Sequence, residues 1–216
     1  MNGAESLVAT FLAADLDVCF TNPGTSEMHF VAALDAAPAM RSVLALQEGV
    51  ATGAADGFFR VAGRPASTLL HLGPGLANGL SNLHNAKKAH SGVVNVVGEH
   101  ALPHIALDAP LTSDIEGIAR PVSHWVKTST GPADLGPDGA EAVAAARAGG
   151  VATLILPGDS AWTPGGAAAP APAAFAPAPV SEDAVMAAAE ALRGEGALLL
   201  LGPGALDEAA LTAAGR

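Results

Sequence analysis

Six short apolar runs, spread through the first 158 residues, constrain this chain more than any other feature. They are VCFTNPG (18–24), RSVLAL (41–46), ASTLLHLG (66–73), GVVNVVGE (92–99), HWVKTS (124–129) and VATLILPG (151–158). Each is nearly continuous in apolar character rather than alternating, the pattern of a parallel strand covered on both faces. Helical segments fall between them, at 3–15, 26–36, 49–62, 76–90 and 138–148, with Thr25 or Ser26 expected to cap the second. Strand–helix alternation of this kind predicts an α/β fold, an open and mostly parallel sheet with helices on both faces. Ligands of such sheets lie beyond the carboxyl ends of the strands. Three features gather there: NPGTSE (22–27), Glu48, and HLGPGLANG (71–79).

The alternation stops near residue 160. Residues 161–180, AWTPGGAAAPAPAAFAPAPV, form a Pro/Ala-rich linker without periodicity. Beyond it, SEDAVMAAAEALR reads as a helix capped by Ser181, with Glu182 and Asp183 in its first turn. GALLLLGPGAL (196–206) reads as a buried strand and turn. The expected organisation is therefore a first domain over 1–160, the linker, and the truncated start of a second, central α/β domain over 181–216. So short a piece cannot bury a sheet, and is expected to be poorly ordered or to pack on the first domain.

The charge balance narrows the partners. Net charge is −11, and the only lysines are Lys87, Lys88 and Lys127, which argues against nucleic acid or an anionic membrane. The single cysteine, Cys19, allows no internal disulfide and fits a reducing compartment. The amino-terminal stretch has no basic leader, and no apolar run approaches the ~20 residues of a membrane helix. A cytoplasmic protein is expected.

Most candidate motifs have an ordinary explanation. GPGLANG (73–79) reads as a glycine-rich tight turn entering a helix; its spacing is not that of the dinucleotide fingerprint, and Pro74 removes a backbone donor. No Gly-Lys-Ser/Thr phosphate loop and no G-x-S-x-G nucleophile elbow are present. The seven histidines show no metal-ligand spacing, so no metal ligand is assigned. His71 interrupts an apolar run at a strand's carboxyl end, where a structural histidine is the usual finding. Glu48 differs. It follows LALQ and precedes GVATGAADG, so a carboxylate sits beside a helix with Gly49, Ala51, Gly53, Ala54 and Gly57 along it. Those small residues let another backbone, or a flat ligand, come close. The helix dipole favours an acid there, and a carboxyl buried there tends to hold or share its proton.

VCFTNPGTSE, LALQEGVATGAADGFFRVAGRPA, LGPGLANGLSNLHNA and LPGD occur together, in this order and spacing. Together they resemble the pyrimidine-binding domain of thiamine-diphosphate-dependent enzymes, in the branch of acetolactate synthase, pyruvate oxidase and benzoylformate decarboxylase. NPG-x-SE, LALQE, the LH before the glycine segment and ARPVSHWVK (119–127) are most similar to benzoylformate decarboxylase-like members. The resemblance spans about residues 1–160, and 181–216 resemble the start of the family's central domain.

The resemblance implies a role for each position. The glutamate at the position of Glu48 hydrogen-bonds a ring nitrogen of the cofactor's aminopyrimidine and supports its imino tautomer, which takes the proton from the thiazolium carbon that attacks a 2-oxo acid. Pro23, Gly24 and Asn78 would line the aminopyrimidine. His71 matches an active-site histidine, and Thr25 or Ser26 a substrate-facing serine. The small residues behind Glu48 would let helices of two subunits approach. In the family, Mg²⁺ and the diphosphate are held by a C-terminal domain with a Gly-Asp-Gly signature, which this chain lacks. The expected function is thus the N-terminal part of a thiamine-diphosphate- and Mg-dependent 2-oxo-acid decarboxylase or carboligase, inactive alone. Its partners would be a second copy of the chain, in a homodimer or tetramer, and a diphosphate-binding domain or subunit. The alternative is a non-catalytic module that dimerises or pairs with such a subunit; a nucleotide-binding α/β protein is a third reading.

Overall fold

The computed structural model describes residues 1–216, the side chain of Pro203 excepted. It separates into two units, residues 1–175 and 176–216.

The first unit is built on the six expected strands: β1 (Val18–Asn22), β2 (Arg41–Leu44), β3 (Ala66–Leu70), β4 (Val93–Glu99), β5 (Trp125–Thr128) and β6 (Val151–Pro157). All pair in parallel, in the order β2-β1-β3-β4-β6-β5. The helices are α1 (Gly3–Ala13), α2 (Met28–Asp35), α3 (Glu48–Ala62), α4 (Leu72–Lys88), α5 (Leu102–Ile105), α6 (Ile115–Ala119), α7 (Leu135–Arg147) and α8 (Gly158–Trp162). β3, β4 and β6 are buried at every position, as their unbroken apolar character requires.

Side chains alternate across the sheet and divide the core in two. Val94, Val96, Ala152, Leu154 and Leu156 pack with Leu7, Phe11, Phe30, Leu135 and Val143, from α1, α2 and α7. Val93, Val97, Val151 and Ile155 pack with Ala51, Ala55, Leu76, Leu83 and Ile115, from α3, α4 and α6. The second face also buries a polar chain. Thr68 Oγ1 donates to Asn95 Oδ1 (2.8 Å), Asn95 Nδ2 donates to Thr153 Oγ1 (3.1 Å), and the Thr153 and Ser123 hydroxyls are hydrogen-bonded to each other (2.8 Å). Both polar ends of Asn95 are satisfied across three strands. Asn95→Ala is expected to strand the Thr68 hydroxyl and cost about 2 kcal/mol, measured as a lower midpoint of urea unfolding at unchanged slope.

Several expected boundaries move, for local reasons. β1, β2 and β3 end earlier than their apolar runs, because within one to three residues the chain leaves the sheet and enters the next helical turn. Neither Thr25 nor Ser26 caps α2; both lie in a 3₁₀ turn, Thr25–Glu27, preceded by Gly24. GPGLANG is not a turn before a helix but the opening of α4 itself. His71 is the N-cap, Leu72 adopts φ 50°, and Gly75 N donates to His71 O (2.7 Å). Pro74 is tolerated because first-turn amides have no helical acceptor. Within the expected linker, Ala169 N donates to Thr10 Oγ1 (3.0 Å), and Arg147 donates to Pro172 O (3.0 Å).

The second unit holds α9 (Glu182–Leu192) and α10 (Glu208–Ala214). Ser181 caps α9 as expected, its side chain accepting from Ala184 N (3.2 Å). The strand expected in 196–206 is absent: Leu198, Leu199 and Leu200 are exposed and irregular. A parallel strand needs a paired neighbour, and among the described residues this unit contains no strand.

Candidate functional site

The strand order places a candidate crevice beside β1. β1 connects outward to edge strand β2, and the chain then crosses back over β1 to β3. That reversal is a topological switch point, where strand ends splay and open α/β sheets bind ligands. Asn22 and Leu70 are register partners at the carboxyl ends of β1 and β3, so Pro23, Gly24 and His71 emerge side by side. A Cβ on Gly24 would strike the His71 ring, so only glycine lets the backbone lie against the imidazole here.

Glu48 enters from the next connection. It is not the end of β2, which stops at Leu44, but the first residue of α3, with Gln47 as N-cap accepting from Val50 N (3.2 Å). The dipole of a 15-residue helix therefore favours its charge. Its side chain is nearly buried, with 8% of the residue exposed, and Oε2 accepts from Asn78 Nδ2 (3.0 Å). Oε1 has no partner among the described residues and lies 2.9 Å from where a Cβ on Gly75 would stand; the same point is 3.2 Å from His71 Cβ. The first turn of α4 thus leaves a glycine-sized gap between the acid and His71 Cβ.

Of the small residues of α3, Gly49 and Gly53 lie against α4, whereas Gly57 is exposed with nothing near the place of a Cβ. Thr52 Oγ1 donates to Gly79 O (3.2 Å) and Asn82 Nδ2 donates to Gly49 O (2.7 Å), so α3 rests directly on α4. That contact holds Glu48 and Asn78 in register. Thr25 is exposed and Ser26 half-buried at the mouth of the 3₁₀ turn, with neither hydroxyl hydrogen-bonded among the described residues.

Glu27 was not singled out in the sequence. It is buried, and Oε2 accepts from Gly24 N (2.7 Å) and meets His71 Nδ1 (2.8 Å). Oε1 is buried without a partner. The one sequence signal was an acid three residues after Gly24, the spacing of a reciprocal cap. Nearby, burial pushes the Glu99 carboxyl above its ordinary range, partly countered by donation from His100 N (2.7 Å). A raised folded-state pKa gives stability that is present below the unfolded value and lost as pH rises through the folded one. Glu99→Gln is therefore expected to raise the unfolding temperature at about pH 7 and to make little difference at about pH 4, where the unfolded carboxyl is half protonated.

Among the described residues, no group of three or more His, Cys, Asp or Glu side chains is arranged to hold a metal ion, and no helix is long and apolar enough to cross a membrane.

Residues 1–118 match the family model of the thiamine pyrophosphate enzyme N-terminal TPP-binding domain. The chain belongs to the thiamine pyrophosphate enzyme family. Among its thiamine-enzyme relatives is the Mycobacterium tuberculosis protein named "Putative acetolactate synthase large subunit IlvX", 56% identical over the whole of this chain and 42% of that protein. Benzoylformate decarboxylase of Pseudomonas aeruginosa is 36% identical over 51% of this chain and 21% of its own length. The chain thus spans less than half of the curated relatives it matches. Among solved structures, the Rhodococcus jostii thiamine diphosphate-dependent 4-hydroxybenzoylformate decarboxylase superposes with a TM-score of 0.79 at 26% identity, over 89% of this chain and 37% of that one. The open parallel α/β architecture is therefore that of a thiamine enzyme's N-terminal domain, related to acetolactate synthase and benzoylformate decarboxylase.

The crevice suits the pyrimidine end of that family's cofactor. A flat heterocycle with ring nitrogens and an amino group needs a carboxylate acceptor, close backbone, and little side-chain bulk. Glu48 Oε1, Gly24 and the gap at Gly75 supply these.

Proposed function

We propose that residues 1–160 form the pyrimidine-binding domain of a thiamine-diphosphate- and Mg²⁺-dependent 2-oxo-acid decarboxylase or carboligase, a cytoplasmic lyase or transferase. The observation that carries this is Glu48: a nearly buried carboxylate at a helix N-terminus, with one oxygen held by Asn78 and the other free beside Gly75. When bound, thiamine diphosphate supplies a nucleophilic carbon and an electron sink for decarboxylation. Glu48 would hold or give up a proton at Oε1 toward a ring nitrogen of the aminopyrimidine, and Asn78 holds the other carboxylate oxygen, Oε2. Pro23 and Gly24 would border the ring, His71 would face the substrate as a catalytic group, and Thr25 or Ser26 would face the substrate with its hydroxyl. Mg²⁺ and the diphosphate are held by a domain or subunit outside this chain, paired with a second copy, and residues 181–216 belong to the central domain.

The test is product release. With thiamine diphosphate and Mg²⁺, the assembled holoenzyme should release carbon dioxide from, or condense, at least one member of a panel of aliphatic and aromatic 2-oxo acids. No turnover across the panel despite bound cofactor overturns the reading. It would favour a second one, a non-catalytic module that pairs with a diphosphate-binding chain.

A further inference from the structure

We propose that Glu27 is a positioning residue for His71, holding the imidazole in the tautomer protonated at Nδ1 and leaving Nε2 as the ring's free acceptor. Glu27 Oε2 meets His71 Nδ1 at 2.8 Å and accepts from Gly24 N at 2.7 Å. An oxygen already accepting from one N–H, in a group with no proton of its own when ionised, can only accept again, so Nδ1 carries the hydrogen. A proton on the buried, unpartnered Oε1 would leave this assignment unchanged.

The clamp is rigid on three sides. The Glu27 side chain has no accessible surface, whereas that of His71 retains 24%. Gly98, at the carboxyl end of β4, leaves the space that Oε1 occupies. Gly24 lies against the imidazole, so a half-turn of the ring would exchange Nδ1 for carbon and forfeit the bond. His71 Nε2 makes no hydrogen bond among the described residues and is not among the buried unpartnered atoms. An imidazole free in water favours the other tautomer. The carboxylate therefore selects a form the ring would not choose alone, the logic by which an acid orients a catalytic histidine elsewhere.

Long-range ¹H–¹⁵N correlation spectra of the neutral histidines read the tautomer in the full chain, without cofactor. Wild-type His71 should show a protonated Nδ1 and a lone-pair Nε2. Glu27→Leu, close in size but with no acceptor, should move the proton to Nε2. Glu27→Gln should restore the wild-type pattern, its amide oxygen replacing Oε2. A wild-type His71 protonated at Nε2, or a Leu variant with the wild-type pattern, overturns the proposal; should the Leu variant fail to fold, the wild-type spectrum still decides. The kinetic arm rests on the decarboxylase reading. In the holoenzyme, Glu27→Leu should lower kcat by on the order of 10²-fold with KM little changed, while Glu27→Gln recovers most of it. Unchanged kcat in the Leu variant removes the positioning role, whereas an inactive wild-type enzyme refutes only the proposed reaction.

Discussion

Glu48→Gln should reduce turnover of the assembled holoenzyme by about 10²–10⁴-fold, the range a positioned proton-transfer group contributes, while leaving the fold intact. Glutamine is nearly isosteric, and its amide oxygen can still accept from Asn78 Nδ2, as Oε2 does at 3.0 Å. The second position, free beside Gly75, then carries an NH₂ that donates where the carboxylate accepts, and that cannot exchange a proton with a ring nitrogen. Stability should change by less than about 1 kcal/mol, since the loss of a favourable charge at the α3 N-terminus opposes the relief of a nearly buried charge. The measurement is kcat beside thermal unfolding of the same preparation. Full activity would refute the proposed proton exchange, and a collapse of folding would show that the acid is structural.

Glu48 was legible in the sequence because every cue to its setting is local. An apolar run precedes it, small residues follow it, and the helix it opens is continuous. Glu27 was hidden because its burial is decided far along the chain, by the missing Cβ of Gly98 and by the imidazole of His71. The start of α4 was misplaced for a related reason. Glycine and proline are read as breakers, yet in the first helical turn neither breaks a hydrogen bond, and Leu72 absorbs the strain at φ 50°. The six strands were legible because parallel strands buried on both faces write their burial into every residue. The Leu-rich run at 198–201 carries the same signal without a strand in its unit to pair with, so composition alone misleads there.

Gly98→Ala should destabilise the first unit by about 3 kcal/mol, the upper part of the range for overpacking. Alanine ordinarily suits a strand better than glycine, by roughly 0.5–1 kcal/mol, so a loss has to come from a collision. The new methyl would overlap Glu27 Oε1 and stand 2.5 Å from its Cδ and 2.8 Å from its Cγ. The carboxylate cannot swing aside without leaving Gly24 N and His71 Nδ1, and β4 cannot shift, being paired on both edges with β3 and β6. A double-mutant cycle isolates the cause. In a Glu27→Ala background the obstructing atoms are gone, and Gly98→Ala should become neutral or stabilising, giving a coupling of several kcal/mol between positions far apart in the chain. An equal loss in both backgrounds would place the collision elsewhere and detach Gly98 from the crevice. The predicted coupling would instead show that a residue without a side chain, on a strand end that contributes no group to the chemistry, makes room for the acid that orients His71.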